Sequence, residues 1–98
     1  MKIYSVENGY QKKLFTSFES ANASFIETAR DILRSYKDEY NDMGYLDLNM
    51  WIAVYDDNKG PPKDYYVPNM SNIREDGDIG PQLRWLHYSG PRQRIKKI

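Results

Sequence analysis

His87 is the only histidine of the chain, and there is no cysteine. Those two residue types carry much of the nucleophilic and metal chemistry open to a protein, so their scarcity decides a great deal. A hydrolytic triad needs an imidazole beside a serine, and His87 would have to supply it. It stands instead in the alternating run Leu83–Tyr88, on the same side as Leu83 and Trp85, where a histidine serves packing or contact. Disulfides and thiolate zinc sites are ruled out. Asp76-Gly77-Asp78 lacks the spacing and closing glutamate of a calcium loop. Asp56, Asp57 and Asp64 would make a carboxylate-only cation site; beside Asn58 and Gly60 they read as a solvated turn. Acids are plentiful, yet no spacing selects the pair that glycoside chemistry needs. Gly77-x-x-Gly80 is too short for a phosphate-cradling loop and lacks its Lys-Ser/Thr. The expectation is therefore a chain with no catalytic residue, no metal site and no cofactor: not an enzyme.

What remains is contact chemistry. Nine tyrosines, two tryptophans and three phenylalanines are crowded into 98 residues. A core this small cannot give every phenol a buried partner, so some rings must reach the surface. Tyrosine and tryptophan are the residues that binding surfaces favour, being large, stiff and polar at one tip. The net charge is zero, with fourteen bases against fourteen acids. That argues against both a DNA mimic and a strongly basic nucleic-acid coat. The balance hides a segregation. Residues 38–57 hold six acids and no base, and residues 81–98 five bases and no acid. Aromatic anchors beside clustered charges are the composition of binding hot spots. The expected partner-binding residues are Trp51, Tyr55, Tyr65, Tyr66 and Arg84, flanked by loops at 56–64 and 71–81. The partner they imply is a protein, with a homodimer as a further option. The alternative is a single-stranded nucleic acid stacked on Trp51 and Tyr55, its phosphates held by Arg84, Arg92, Arg94, Lys96 and Lys97. Acids near Trp51 oppose that alternative.

These side chains need a frame. Asn8-Gly9, between Lys2–Glu7 and Tyr10–Thr16, predicts a hairpin with a two-residue loop, placing Glu7 opposite Tyr10 and Tyr4 opposite Lys13. Ser17 reads as a helix N-cap, with Glu19 in the first turn. Apolar residues at 18, 21, 25, 29, 32, 36 and 40 then trace one face of a helix over roughly 18–40. Asn41–Gly44 would end it. Leu46, Leu48, Met50, Ile52 and Val54 alternate with mostly polar neighbours, predicting a half-buried strand over 46–55. Residues 56–63 read as a loop, 64–67 as a returning strand closed by Pro68, and 68–82 as a long irregular connection. Residues 83–88 give a last strand, and Ser89-Gly90-Pro91 breaks it.

The order β-β-α-β-β-β predicts an α+β domain: an antiparallel sheet of four or five strands with one amphipathic helix across one face. Residues 1–91 form a single domain, and 92–98 a basic tail. No apolar run reaches the roughly 20 residues of a spanning helix, and the start lacks a signal-peptide core. The expected location is the cytoplasm, with no membrane contact.

The opening stretch KIYSVENGYQKKLFTSFESANASFIETA, Lys2–Ala29, resembles the start of small accessory proteins encoded by tailed phages. It shares their short hairpin, phenylalanine-serine helix start and amphipathic helix, over less than a third of the chain. The resemblance implies a protein that binds and inhibits a host protein, such as a restriction, CRISPR or toxin system. It carries no site residues with it.

Overall fold

The computed structural model describes residues 1–39, 46–57, 59–76, 78, 79 and 83–90, with Lys59 and Asp76 described by backbone alone. The chain runs β1 (Lys2–Glu7), β2 (Lys12–Phe15), α1 (Phe18–Glu39), β3 (Trp51–Asp56), β4 (Lys59–Pro68), α2 (Met70–Asp76) and β5 (Trp85–Ser89). The five strands form one antiparallel sheet in the order β2-β1-β3-β4-β5. The long helix packs on one face, giving the α+β architecture expected from the sequence.

The first connection differs from the Asn-Gly expectation. Tyr4 pairs with Phe15 and Glu7 with Lys12, so the loop has four residues rather than two. Asn8 is the cause. Its side-chain oxygen accepts from the amides of Tyr10 (3.0 Å) and Gln11 (2.9 Å), closing an Asx-type turn. Gly9 takes the left-handed conformation at φ 89° that this turn requires. The shift is two residues, so side chains keep the faces assigned to them. Tyr4, Val6 and Phe15 turn towards the helix.

Ser17 caps α1 as expected: its hydroxyl accepts from the Ser20 amide at 3.1 Å. Ala21, Phe25, Ala29 and Leu33 are buried along one stripe, and Glu19 and Lys37 suit the two ends of the helix dipole. Against the stripe lie Val6, Leu46, Leu48, Met50 and Ile52. A cluster of edge-on and tilted rings closes one side of this core. Phe18 contacts Tyr4, Tyr66 and Trp85, and Phe25 meets Trp85 with ring centres 4.8 Å apart.

The strand expected over 46–55 begins only at Trp51. Residues 46–50 lie outside any strand, without ladder partners. Asp47 accepts from the Asn49 amide, and Asn49 sits at φ 49°. That local turn competes with the sheet. The alternation survives it, and Leu46, Leu48 and Met50 all point inward. Arg74 anchors the segment by donating to the Leu46 carbonyl at 2.8 Å.

Two further expectations are corrected. Residues 59–63, read as loop, belong to β4, which lies between β3 and β5; Pro61 and Pro62 fall where the β3–β4 register breaks. Within the stretch 68–82, residues 70–76 are helical rather than irregular. Asn69 caps them through its side-chain oxygen, accepting from Ser71 and Asn72, and Ile73 plugs the core. Ile79 is also enclosed, and its carbonyl accepts from Arg30 of α1 at 2.6 Å. The expected helix end at 41–44 and the basic tail at 92–98 lie outside the described residues.

Candidate functional site

Strand alternation divides the sheet residues between two faces. Tyr4, Val6, Ile52, Val54, Tyr66, Trp85 and His87 face the helix. The other face carries Ile3, Ser5 and Glu7 of β1, Lys12 and Leu14 of β2, Trp51, Ala53 and Tyr55 of β3, Tyr65 and Val67 of β4, and Leu86 and Tyr88 of β5. Among the described residues, no helix covers this second face.

The middle of this face is closed by its own side chains. Tyr55 stands opposite Ile3, yet its hydroxyl donates to Glu7 Oε2 at 2.8 Å, four residues further along β1. The ring must therefore lie along the sheet, across the row of Ser5 and Ala53. That row is made of small residues, and they are 0% and 1% exposed. Lys12 Nζ completes the chain by donating to the Tyr55 oxygen at 3.2 Å. Burial, then the hydrogen bond to Glu7, raises the Tyr55 phenol above its ordinary value. Lys12 is raised too, first by its bond to Tyr55 and then by the Glu7 charge. The Ser5 hydroxyl is buried without a hydrogen-bond partner.

The flanks are open. Leu14 is 52% exposed on the β2 side; Leu86 and Tyr88 are 43% and 44% exposed on the β5 side. Tyr88 stacks on Tyr65 with ring centres 5.2 Å apart and planes 16° from parallel. This pair is a cross-strand neighbour pair in the ladder. Val67 and Leu86 form the next pair beside it. The result is an apolar, ring-bearing patch over β4 and β5.

The five residues expected to meet a partner are thus spread over different settings. Trp51 and Tyr65 lie half-buried on the open face. Tyr55 is on that face but enclosed in its hydrogen bonds, at 8% exposure. Tyr66 is on the helix side, against Phe18 and stacked on His87 at 4.6 Å. Arg84 is exposed just before β5, its amide donating to Asn72. Leu14 and Leu86 were not singled out in the sequence, since a lone exposed leucine carries no signal until strand pairing sets its face.

Two further polar groups are paired within the chain. His87 lies 3.3 Å from Asp64. Asp57 receives the Met1 amino group at 2.6 Å. No three His, Asp or Glu side chains converge among the described residues. A cleft of about 390 Å³ opens between the β1–β2 turn and α1, lined by Glu7, Lys12, Lys13, Ser24 and Thr28 among others. Of its charged lining, Lys12 and Glu7 are tied to Tyr55. No described helix is long and apolar enough to cross a membrane. Compared with known protein families, curated proteins and solved structures, the chain matches none of them.

Proposed function

We propose that the chain is a non-enzymatic protein-binding domain that docks its partner on the uncovered sheet face. In this reading it acts as an inhibitor of a host protein, in the manner of the small phage accessory proteins that its opening stretch resembles, and works in the cytoplasm. The observation that carries the reading is the apolar patch of Tyr65, Val67, Leu86 and Tyr88, left open beside a centre closed by Tyr55. Exposed aromatic and aliphatic side chains on a rigid sheet give contact area at little entropic cost. The stacked tyrosines use their ring faces on each other, which favours a protein over inserted nucleic-acid bases.

Affinity capture from bacterial lysate tests it. Tyr88→Glu and Leu14→Glu should each lose a specific protein that the wild type retains, because burying an unpaired carboxylate at an interface is strongly unfavourable. Arg34→Glu, on the exposed side of α1, should retain it, and the captured protein's activity should fall when the wild-type chain is added. Identical capture by all variants would refute the docking face. A gel shift with single-stranded oligonucleotides at low ionic strength would support the nucleic-acid reading instead.

A further inference from the structure

The two edges of the sheet are built differently. β2 is four residues long and carries Lys12 and Lys13, the short, charged form that discourages edge pairing. β5, Trp85-Leu86-His87-Tyr88-Ser89, contains no lysine, arginine, aspartate, glutamate or proline. Its last four residues are exposed. Among the described residues its one strand neighbour is β4.

The direction of its backbone groups follows from two hydrogen bonds. Asn69 donates to the Arg84 carbonyl at 2.9 Å, and Gly90 donates to the Lys63 carbonyl at 2.6 Å. Residues 84 and 90 therefore turn their main-chain groups towards β4, and by antiparallel alternation so do 86 and 88. The amides and carbonyls of Trp85, His87 and Ser89 point outward. We propose that this edge pairs with β5 of a second copy of the chain, in antiparallel register about a two-fold axis at His87.

The register is self-complementary. It sets His87 opposite His87 of the second copy and Trp85 opposite Ser89 of the second copy. Each such pair exchanges two hydrogen bonds. The intervening positions bring Leu86 against Tyr88 of the second copy, twice, on the uncovered face. These are two of the exposed large apolar side chains of the monomer. Charge does not oppose the contact: each imidazole brings its own carboxylate, Asp64 at 3.3 Å. A five-residue edge is small beside the roughly 1,200–2,000 Å² of a stable interface, so the association is weak and depends on concentration. It shares Leu86 and Tyr88 with the partner-binding reading but depends on the outward main-chain groups of the strand edge, which that reading does not use.

Sedimentation between about 10 μM and about 1 mM tests the proposal. The mass should rise from 11.6 kDa towards twice that value, while exchange of the Trp85, His87 and Ser89 amides slows. His87→Pro removes an outward N–H and no main-chain bond to β4; it also loses the side-chain contacts with Asp64 and Tyr66, but the sheet's circular dichroism should persist and the chain should stay monomeric. It should still capture the lysate partner, which separates the two readings. Leu14→Glu should dimerise normally. A wild type that stays at 11.6 kDa throughout, a His87→Pro chain that dimerises equally, or outward amides already protected at the lowest concentration would each overturn the proposal. The last result would mean that the edge is already covered within a single copy.

Discussion

Replacing Tyr55 by phenylalanine removes one oxygen and leaves the ring. Glu7 is 8% exposed and accepts from the Tyr55 hydroxyl at 2.8 Å. A hydrogen bond to a charged group contributes about 1.5–3 kcal/mol, and a buried carboxylate stripped of its donor falls at the upper end. The second bond, from Lys12 at 3.2 Å, involves an exposed ammonium and contributes less than about 1 kcal/mol. Tyr55→Phe should therefore lower stability by about 2–3 kcal/mol, and Lys12→Met by under about 1 kcal/mol. For a domain of this size each kcal/mol shifts the melting temperature by roughly 4–8 °C. The pH dependence has a fixed sign. The folded-state phenol value lies above its unfolded value of about 10. Its contribution is thus complete below pH about 10 and is lost as pH rises through the raised value. Urea unfolding of wild type and variant should show a constant gap from pH about 7 to 9 that narrows above about 10. A double-mutant cycle with Glu7→Gln should return most of the loss as coupling. A gap below about 0.5 kcal/mol, or a coupling near zero, would refute the argument that Tyr55 lies across the sheet to hold Glu7.

Three other substitutions probe the frame. Phe25→Ala empties a fully enclosed site against Trp85 and should cost about 3–5 kcal/mol by denaturant unfolding, a large part of the roughly 5–15 kcal/mol expected for a domain. Asn69→Ala removes the cap of α2 and should cost about 1 kcal/mol, with faster amide exchange confined to residues 70–76. Ser5→Ala deletes a buried hydroxyl without a partner; stability should hold or rise by up to about 1 kcal/mol, and a fall larger than that would mean the hydroxyl is bonded.

The readable parts of the sequence were those where one local period dominated. The α1 stripe and its Ser17 cap repeat over many residues, so boundary and buried face both emerged. The inward alternation of 46–54 was equally plain, but its ladder was not. Asp47 and Asn49 form a local turn that outcompetes pairing over 46–50, and alternation alone does not distinguish unpaired chain from paired strand. The Asn8 side chain likewise changed the hairpin loop while leaving side-chain parity intact. α2 was hidden because seven residues give barely two turns of periodicity. Its signals were the cap Asn69 and the Met70–Ile73 spacing. For the candidate site, residue types pointed to aromatic contact, but pairing decides faces. Only the register places Tyr66 under the helix, folds Tyr55 onto Glu7 and aligns Leu86 with Tyr88 on the open side.

The claim on which the functional account rests is that a partner meets the sheet and not the helix. Site-specific photocrosslinking addresses it directly. A benzophenone side chain placed at Leu14 or Tyr88 should yield covalent adducts with a lysate protein on irradiation. The same group at Glu27 or Arg34, on the exposed side of α1, should yield none. Adducts formed from the helix positions alone, or from no position at all, would contradict it.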